Sequence, residues 1–246
     1  MITRPIRTRL FKESEDLNAF IIRHIPKLKE RSILVVTSKI VALAERRTAT
    51  TTDIRTKDAL IKRESEWAIP TKYVWLTVKD GMVMPSAGID ESNADGKLIL
   101  LPKDSYRAAR EVRRKLQKRY KLKELGVLIT DSRTMPLRAG VTGVSLGYAG
   151  FKGIKDYVGK KDLFNRPFKF SRVDIPDSLA AAAVLTMGEG AERCPLAIIE
   201  RAPVEFCERV KREELTISIH DDMYRPLFTN LPERVKPSRP IPSHHP

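Results

Sequence analysis

Ser32-Ile33-Leu34-Val35-Val36-Thr37-Ser38 is the stretch that decides how the rest of the chain is read. Its four consecutive aliphatic side chains leave no polar face. The run is therefore predicted as a strand covered on both sides, the kind found in sheets packed by helices. Residues 39–46 continue it as a helix. Residues 126–130 repeat the buried pattern and stop at Asp131, and residues 195–200 supply a third apolar run. Residues 72–78 read as a further strand, with Asp80-Gly81 as the turn leading to Met82 and Val83 in a hairpin. Between these lie two helices. The first, residues 105–125, has Asp104 as its N-cap, Ala109, Val112, Leu116 and Tyr120 at helical spacing, and Gly126 as its stop. The second, residues 177–187, starts near Asp177 or Ser178 and carries four consecutive alanines. The order of strands and helices predicts a mixed α/β (α+β) fold.

The chain has 246 residues, 41% hydrophobic and 31% charged, which suffices for a packed core without disulfide or metal staples. No run reaches the roughly 18 to 20 apolar residues of a membrane span, and the N-terminus lacks the apolar region of a secretory signal. A cytoplasmic protein with no membrane partner is expected. Cys194 and Cys207 lack CxxC spacing and read as buried, inert thiols. Forty-six basic against 31 acidic side chains give +15, which favours anionic partners without choosing among them. Only the two ends look detached. Composition shifts at Glu205, dividing the chain into a body of residues 1–204 and an extension of residues 205–246. Residues 204–215 are predicted as a charged amphipathic helix. Pro226, Pro232, Pro237, Pro240, Pro242 and Pro246 then interrupt regular structure, so the last ten residues read as a loose tail with His244 and His245 as a solvated end.

Three polar clusters fall at the ends of predicted elements, where α/β folds assemble sites. They are Gly88-Ile89-Asp90-Glu91-Ser92-Asn93, then Thr130-Asp131-Ser132, then Met187-Gly188-Glu189-Gly190-Ala191-Glu192. Asp90, Asp131, Glu189 and Ser132 form an all-oxygen set, which suits Mg²⁺ or Mn²⁺ together with phosphate oxygens. Each alone also fits a turn or a helix cap. Glycines at 140, 143, 147, 150 and 153 fit either phosphate approach or tight turns, and no P-loop is present. His24 and His220 have no hydrolase context, and the cysteines have no zinc-site spacing. Arg107, Arg110, Arg113, Arg114, Lys115, Lys118, Arg119, Lys121 and Lys123 form a basic helix face. It reads as a solvated surface ahead of a nucleic-acid site, because aromatics are not interleaved with it.

At the three clusters the chain resembles the coenzyme F420-0:L-glutamate ligase family, the GTP-dependent γ-glutamyl ligases that extend a deazaflavin coenzyme precursor. The likeness spans residues 30–201. It runs in order through Val35-Val36-Thr37-Ser38-Lys39-Ile40-Val41, the Asp90 loop, Leu100-Leu101-Pro102-Lys103-Asp104 and Ile129-Thr130-Asp131-Ser132. It continues through Pro136-Leu137-Arg138-Ala139-Gly140, Gly147-Tyr148-Ala149-Gly150, Asp156-Tyr157-Val158-Gly159 with Asp162, and residues 181–188. The resemblance implies two divalent cations, Mg²⁺ or Mn²⁺: one on Asp90 and Asp131, a second on Ser132 and Glu189. It also implies K⁺, with GTP as co-substrate. Asn93, Ser38, Lys39 and the loop Met187, Gly188, Gly190, Ala191, Glu192, Arg193 and Cys194 would form the nucleotide pocket. L-Glutamate and an anionic acceptor, the deazaflavin precursor or a folate-like acid, would be joined through an acyl phosphate. Arg138 and Arg166 would attract these anions or serve as surface ion-pair partners. The implied fold is that of an intertwined homodimer.

The sequence departs from the family pattern at three places. Asp131-Ser132-Arg133-Thr134-Met135-Pro136 stands where the family has Asp-Thr-Phe-Gly-Arg-Pro. Met84-Pro85-Ser86-Ala87-Gly88 replaces an Ala-Asn-Ala-Gly, and Leu43 occupies a position that can be lysine. Two other readings follow: a basic nucleic-acid-binding protein, and a non-catalytic member that binds nucleotide.

Overall fold

A computed structural model describes residues 1–50 and 53–228. The loose tail, Pro232, Pro237, Pro240, Pro242, Pro246, His244 and His245 lie outside the described residues. In chain order the first elements are β1 (Ile2–Ile6), α1 (Leu17–His24), β2 (Ser32–Thr37), α2 (Ser38–Ala44), β3 (Thr48–Ala49), α3 (Ile54–Glu64), β4 (Trp67–Pro70), β5 (Trp75–Lys79), β6 (Met82–Pro85) and β7 (Leu98–Ile99). They are followed by α4 (Ser105–Tyr120), β8 (Leu125–Arg133), β9 (Thr142–Ala149), β10 (Ile154–Asp156), β11 (Arg172–Asp174), α5 (Ile175–Met187) and β12 (Leu196–Glu200). No helix among the described residues is long and apolar enough to cross a membrane. The described residues form two compact units, residues 1–47 with 102–212, and residues 48–50 and 53–101 with 213–228.

The first unit is built on a five-stranded mixed sheet in the order β1-β12-β2-β8-β9. β2 and β8 are parallel, pairing Ser32 with Leu125 through Thr37 with Thr130, and the other neighbours are antiparallel. Central β2 is buried from Ser32 to Val36, as its aliphatic run demands. α4 and α5 both pack on β8 and β9. In the second unit β4, β5 and β6 form a meander in which Asp80 and Gly81, both at positive φ, make the predicted hairpin turn. Leu60 of α3 packs there with Leu98 and Leu100.

Several boundaries differ from the sequence reading. Lys121 at φ 56° ends α4 in a left-handed cap, five residues before the glycine read as its stop. Gly126 lies inside β8, where a Cβ would meet Ile33 and Phe151. The cap of α5 is Asp174, which accepts from the Asp177 N–H at 3.0 Å, because Pro176 belongs to the first turn. The N-terminus is not detached: β1 completes the sheet against β12. Residues 72–74 precede β5 instead of starting it. The helix predicted over residues 204–215 is replaced by an extended strap and a short turn of 3₁₀ helix at Arg212–Leu215. Phe206 bridges to Phe151, and Glu208 takes a bidentate pair from the buried Arg113 at 2.9 and 3.0 Å. Such a pair outweighs the weak helical preference of so charged a segment. Cys194 and Cys207 are free and half-buried, not buried.

Asp174→Ala is expected to cost about 1 kcal/mol by removing the α5 cap. This is read as a lower melting temperature with unchanged far-ultraviolet circular dichroism at 25 °C.

Candidate active site

The parallel pairing of β2 with β8 sets two strand ends side by side. Past the Thr37–Thr130 pair, β2 turns into α2 at Ser38 while β8 runs on through Asp131 and Ser132. The buried Ser38 hydroxyl donates to Asp131 Oδ1 at 3.4 Å. One residue along, Ser132 Oγ donates to Glu189 Oε1 at 2.5 Å. Glu189 is delivered by α5, whose last turn closes through the Gly188 N–H to the Val184 carbonyl at φ 80°. Two carboxylate–hydroxyl contacts thus stand at consecutive positions of β8 in the first unit, Ser38 with Asp131 and Ser132 with Glu189. The set is all oxygen, which fits a hard divalent cation and not zinc or a soft metal. Among the described residues no three His, Cys, Asp or Glu side chains come together as a metal-holding group.

The β8–β9 ladder changes register between Ile129 and Thr130, leaving Leu146 of β9 unopposed in a β-bulge. The consequence shows in the glycines. Gly143 and Gly147 are an even number of residues apart, so an unbroken strand would aim both the same way. Instead a Cβ at Gly143 would meet Ala180 and Val184 of α5, and one at Gly147 would meet Ser105 and Tyr106 of α4. These glycines serve close helix packing. Beside the bulge the Ser145 N–H donates to Asp177 Oδ1 at 2.8 Å. Burial pushes the Asp177 carboxyl above its ordinary range, against the pull of the Ser145 N–H and the Arg133 guanidinium. From the sequence, Asp177 reads only as a helix start. Pro176 was the available signal, since it moves the cap back to Asp174 and leaves Asp177 for another task.

In the loop after α5, Glu192 folds back so that its carboxylate accepts from the Gly190 N–H at 2.8 Å. A Cβ on Gly188 would lie 2.4 Å from Glu192 Cδ. Ala191 is exposed, Met187 is buried, Arg193 sits at φ 56°, and Cys194 Sγ contacts the Glu192 carbonyl at 3.5 Å. Lys39 is half-buried on α2. Arg166 pairs with Asp162 at 3.0 Å on the surface.

Asp90 and Asn93 lie in the second unit. Asp90 bridges to Ile99 through its backbone, and its carboxylate accepts from the Ser92 N–H at 2.7 Å and the Ser92 hydroxyl at 3.0 Å. This is an Asx turn of the kind its loop position predicts. Glu91 pairs with Lys57, and Asn93 stands at φ 52°.

A family model described as F420-0:Gamma-glutamyl ligase matches residues 5–201. A Methanococcus maripaludis strain C6 protein named coenzyme F420:L-glutamate ligase is 39% identical over 153 residues, 62% of this chain and 61% of that protein. The aligned part is thus less than two thirds of that relative. Longer alignments join the chain to proteins of the same name. One from Methanococcus maripaludis strain C7 is 32% identical over 216 residues, 80% of this chain and 86% of the relative. One from Methanosarcina acetivorans is 33% identical over 235 residues, 88% and 89% of the two chains.

Proposed function

The chain belongs to the F420-0:gamma-glutamyl ligase family, and from that premise we propose that it is a GTP-dependent ligase joining L-glutamate to an anionic coenzyme precursor. The observation that carries the reading is the meeting of Ser132 with Glu189 one residue from the Ser38–Asp131 contact. Ser132 and Glu189 would hold one divalent cation and Asp131 would contribute to another, while Asp90 stays a ligand candidate on its chemistry alone. Such ions, when bound, neutralise triphosphate charge and polarise the transferred phosphoryl group. The family's monovalent ion, K⁺, is retained without assigned ligands.

The chain's own residues have limited tasks in this scheme. Ser38 orients the Asp131 carboxylate, and Lys39 offers a point charge to phosphate. The loop from Met187 to Cys194 would contact the nucleotide, and Asn93 is kept as a nucleotide candidate on its chemistry alone. Because Glu192 occupies the Gly190 N–H, a phosphate bound there requires that carboxylate to swing out. The acceptor's carboxylate oxygen attacks the γ-phosphorus and the bridging P–O bond breaks, giving GDP and an acyl phosphate. The glutamate amine then attacks the acyl carbon, phosphate leaves, and the amine proton passes to water. No histidine is needed.

The homodimer of the family reading has support in the first unit, where Leu163, Phe164 and Phe170 are 96%, 76% and 88% exposed. Apolar exposure on that scale marks an interface, and a second copy is the proposed occupant. Sedimentation of the full chain as a monomer at micromolar concentration would contradict this.

The activity test is incubation with GTP, Mn²⁺, K⁺, L-glutamate and a panel of acidic acceptors that includes the deazaflavin precursor and folate, read by product mass. A mass increase of one glutamyl unit on one acceptor is expected, with GDP formed in equal amount. GTP and metal binding without any product would leave the non-catalytic reading in its place.

A further inference from the structure

The Leu146 bulge lies immediately before the residues given metal-ligand roles above. It changes the phase of β9 so that Gly143 admits α5 and sets the register in which Ser145, Val144 and Gly143 pair with Thr130, Asp131 and Ser132. A bulge of this kind needs an acceptor for any amide it turns out of the ladder. Here the acceptor is a side chain: the Ser145 N–H points to Asp177 Oδ1 at 2.8 Å, while the Asp177 backbone N–H is held by the Asp174 cap at 3.0 Å. The same helix ends at Gly188 and delivers Glu189 to Ser132. α5 is thus tied to the β8–β9 pair at both ends, by Asp177 at the bulge and by Glu189 at the site.

We infer that Asp177 is a positioning residue which, by anchoring the Leu146 bulge through the Ser145 amide, keeps Asp131 and Ser132 in register with Glu189. The inference rests on the ligase reading only for what those side chains bind; the anchoring itself concerns backbone and helix. It separates two roles on one helix. Asp174 stabilises α5 as any cap would, and Asp177 transmits the position of α5 to the strand that carries the ligands.

The test uses the full chain with Mn²⁺ alone, titrated calorimetrically, together with hydrogen exchange of peptides covering residues 125–149. Asp177→Ala is expected to weaken Mn²⁺ binding roughly tenfold, the scale at which residues behind metal ligands act, and to speed exchange around Ser145. Asp177→Asn keeps a carbonyl oxygen for the Ser145 N–H and should restore affinity to within about threefold. Asp174→Ala lowers the melting temperature but should leave Mn²⁺ affinity within about twofold of the parent, since it spares the bulge contact. Equal affinity in Asp177→Ala and the parent, or equal weakening in Asp174→Ala, would overturn the inference. If the parent chain binds no Mn²⁺, the metal reading fails. Exchange then decides the anchoring alone: unchanged protection of residues 142–149 in Asp177→Ala would reject it.

Discussion

Asp131→Ala is expected to lower glutamate-dependent release of phosphate from GTP by roughly a thousandfold or more, with the fold intact. Asp131 meets Ser38 where the parallel strands end, and the substitution removes a full negative charge where the proposed function holds a divalent cation and a triphosphate. The Ser38 hydroxyl, which donates to Asp131 at 3.4 Å, loses its acceptor but is not an adequate replacement ligand. Stability should stay the same or rise slightly, because a half-exposed carboxylate kept for function is retained at a cost to folding. Asp131→Asn should behave alike, since its amide oxygen has the shape of the carboxylate without its charge. The decisive measurement pairs single-turnover phosphate release with a thermal melt. Turnover within tenfold of the parent in a folded Asp131→Ala chain would remove Asp131 from the site. Asp90→Ala carries a parallel expectation, and a parent-like rate there would remove Asp90 as a ligand candidate.

The second large effect is structural. Gly143→Ala places a Cβ 2.4 Å from the Ala180 carbonyl oxygen and 2.7 Å from Val184 Cβ. The first obstacle is helix backbone, which cannot rotate away as a long side chain would. α5 must retreat by about an ångström to reach ordinary contact, opening its packing on β9 and drawing Glu189 from Ser132. Overpacking against backbone costs roughly 3 kcal/mol, which for a chain of this size is a melting temperature lower by about 6 to 12 °C. Mn²⁺ affinity should fall in the fraction that remains folded. A melting temperature within 2 °C of the parent would show that α5 and β9 are not held as closely as described.

These two positions also show what a sequence can and cannot disclose. Asp131 was legible because an aliphatic run ending in Asp-Ser is a buried strand reaching a loop, and its neighbour β2 announced itself in the same way. Gly143 was legible only as a glycine, because the close approach it permits depends on a helix from another part of the chain. The pairing of Ser132 with Glu189 follows from the packing of α5, so the residue types nominate them one by one and only the family resemblance joins them. β1 escaped notice because Arg4 and Pro5 interrupt its hydrophobic pattern, and Pro is tolerated where the strand lies at an edge. The end of α4 was misplaced because a lysine, not a glycine, adopts the left-handed cap. Asp177 reads from the sequence only as a helix start, since a bulge leaves no mark in composition. The segment after residue 204 has helical spacing, but bridging to Phe151 and pairing with Arg113 draw it out into a strap.

The central strand β2 is made early, yet its hydrogen-bonding neighbours are β8 and β12, the second of which ends at Glu200. During synthesis its aliphatic run stays without one flank until some two hundred residues have left the ribosome, and β1 waits equally long for β12. Closure of so long a circuit is entropically slow and exposes sticky intermediates. Yield in a foreign host should therefore depend more on chaperone supply and growth temperature than on the thermodynamic stability of the finished molecule.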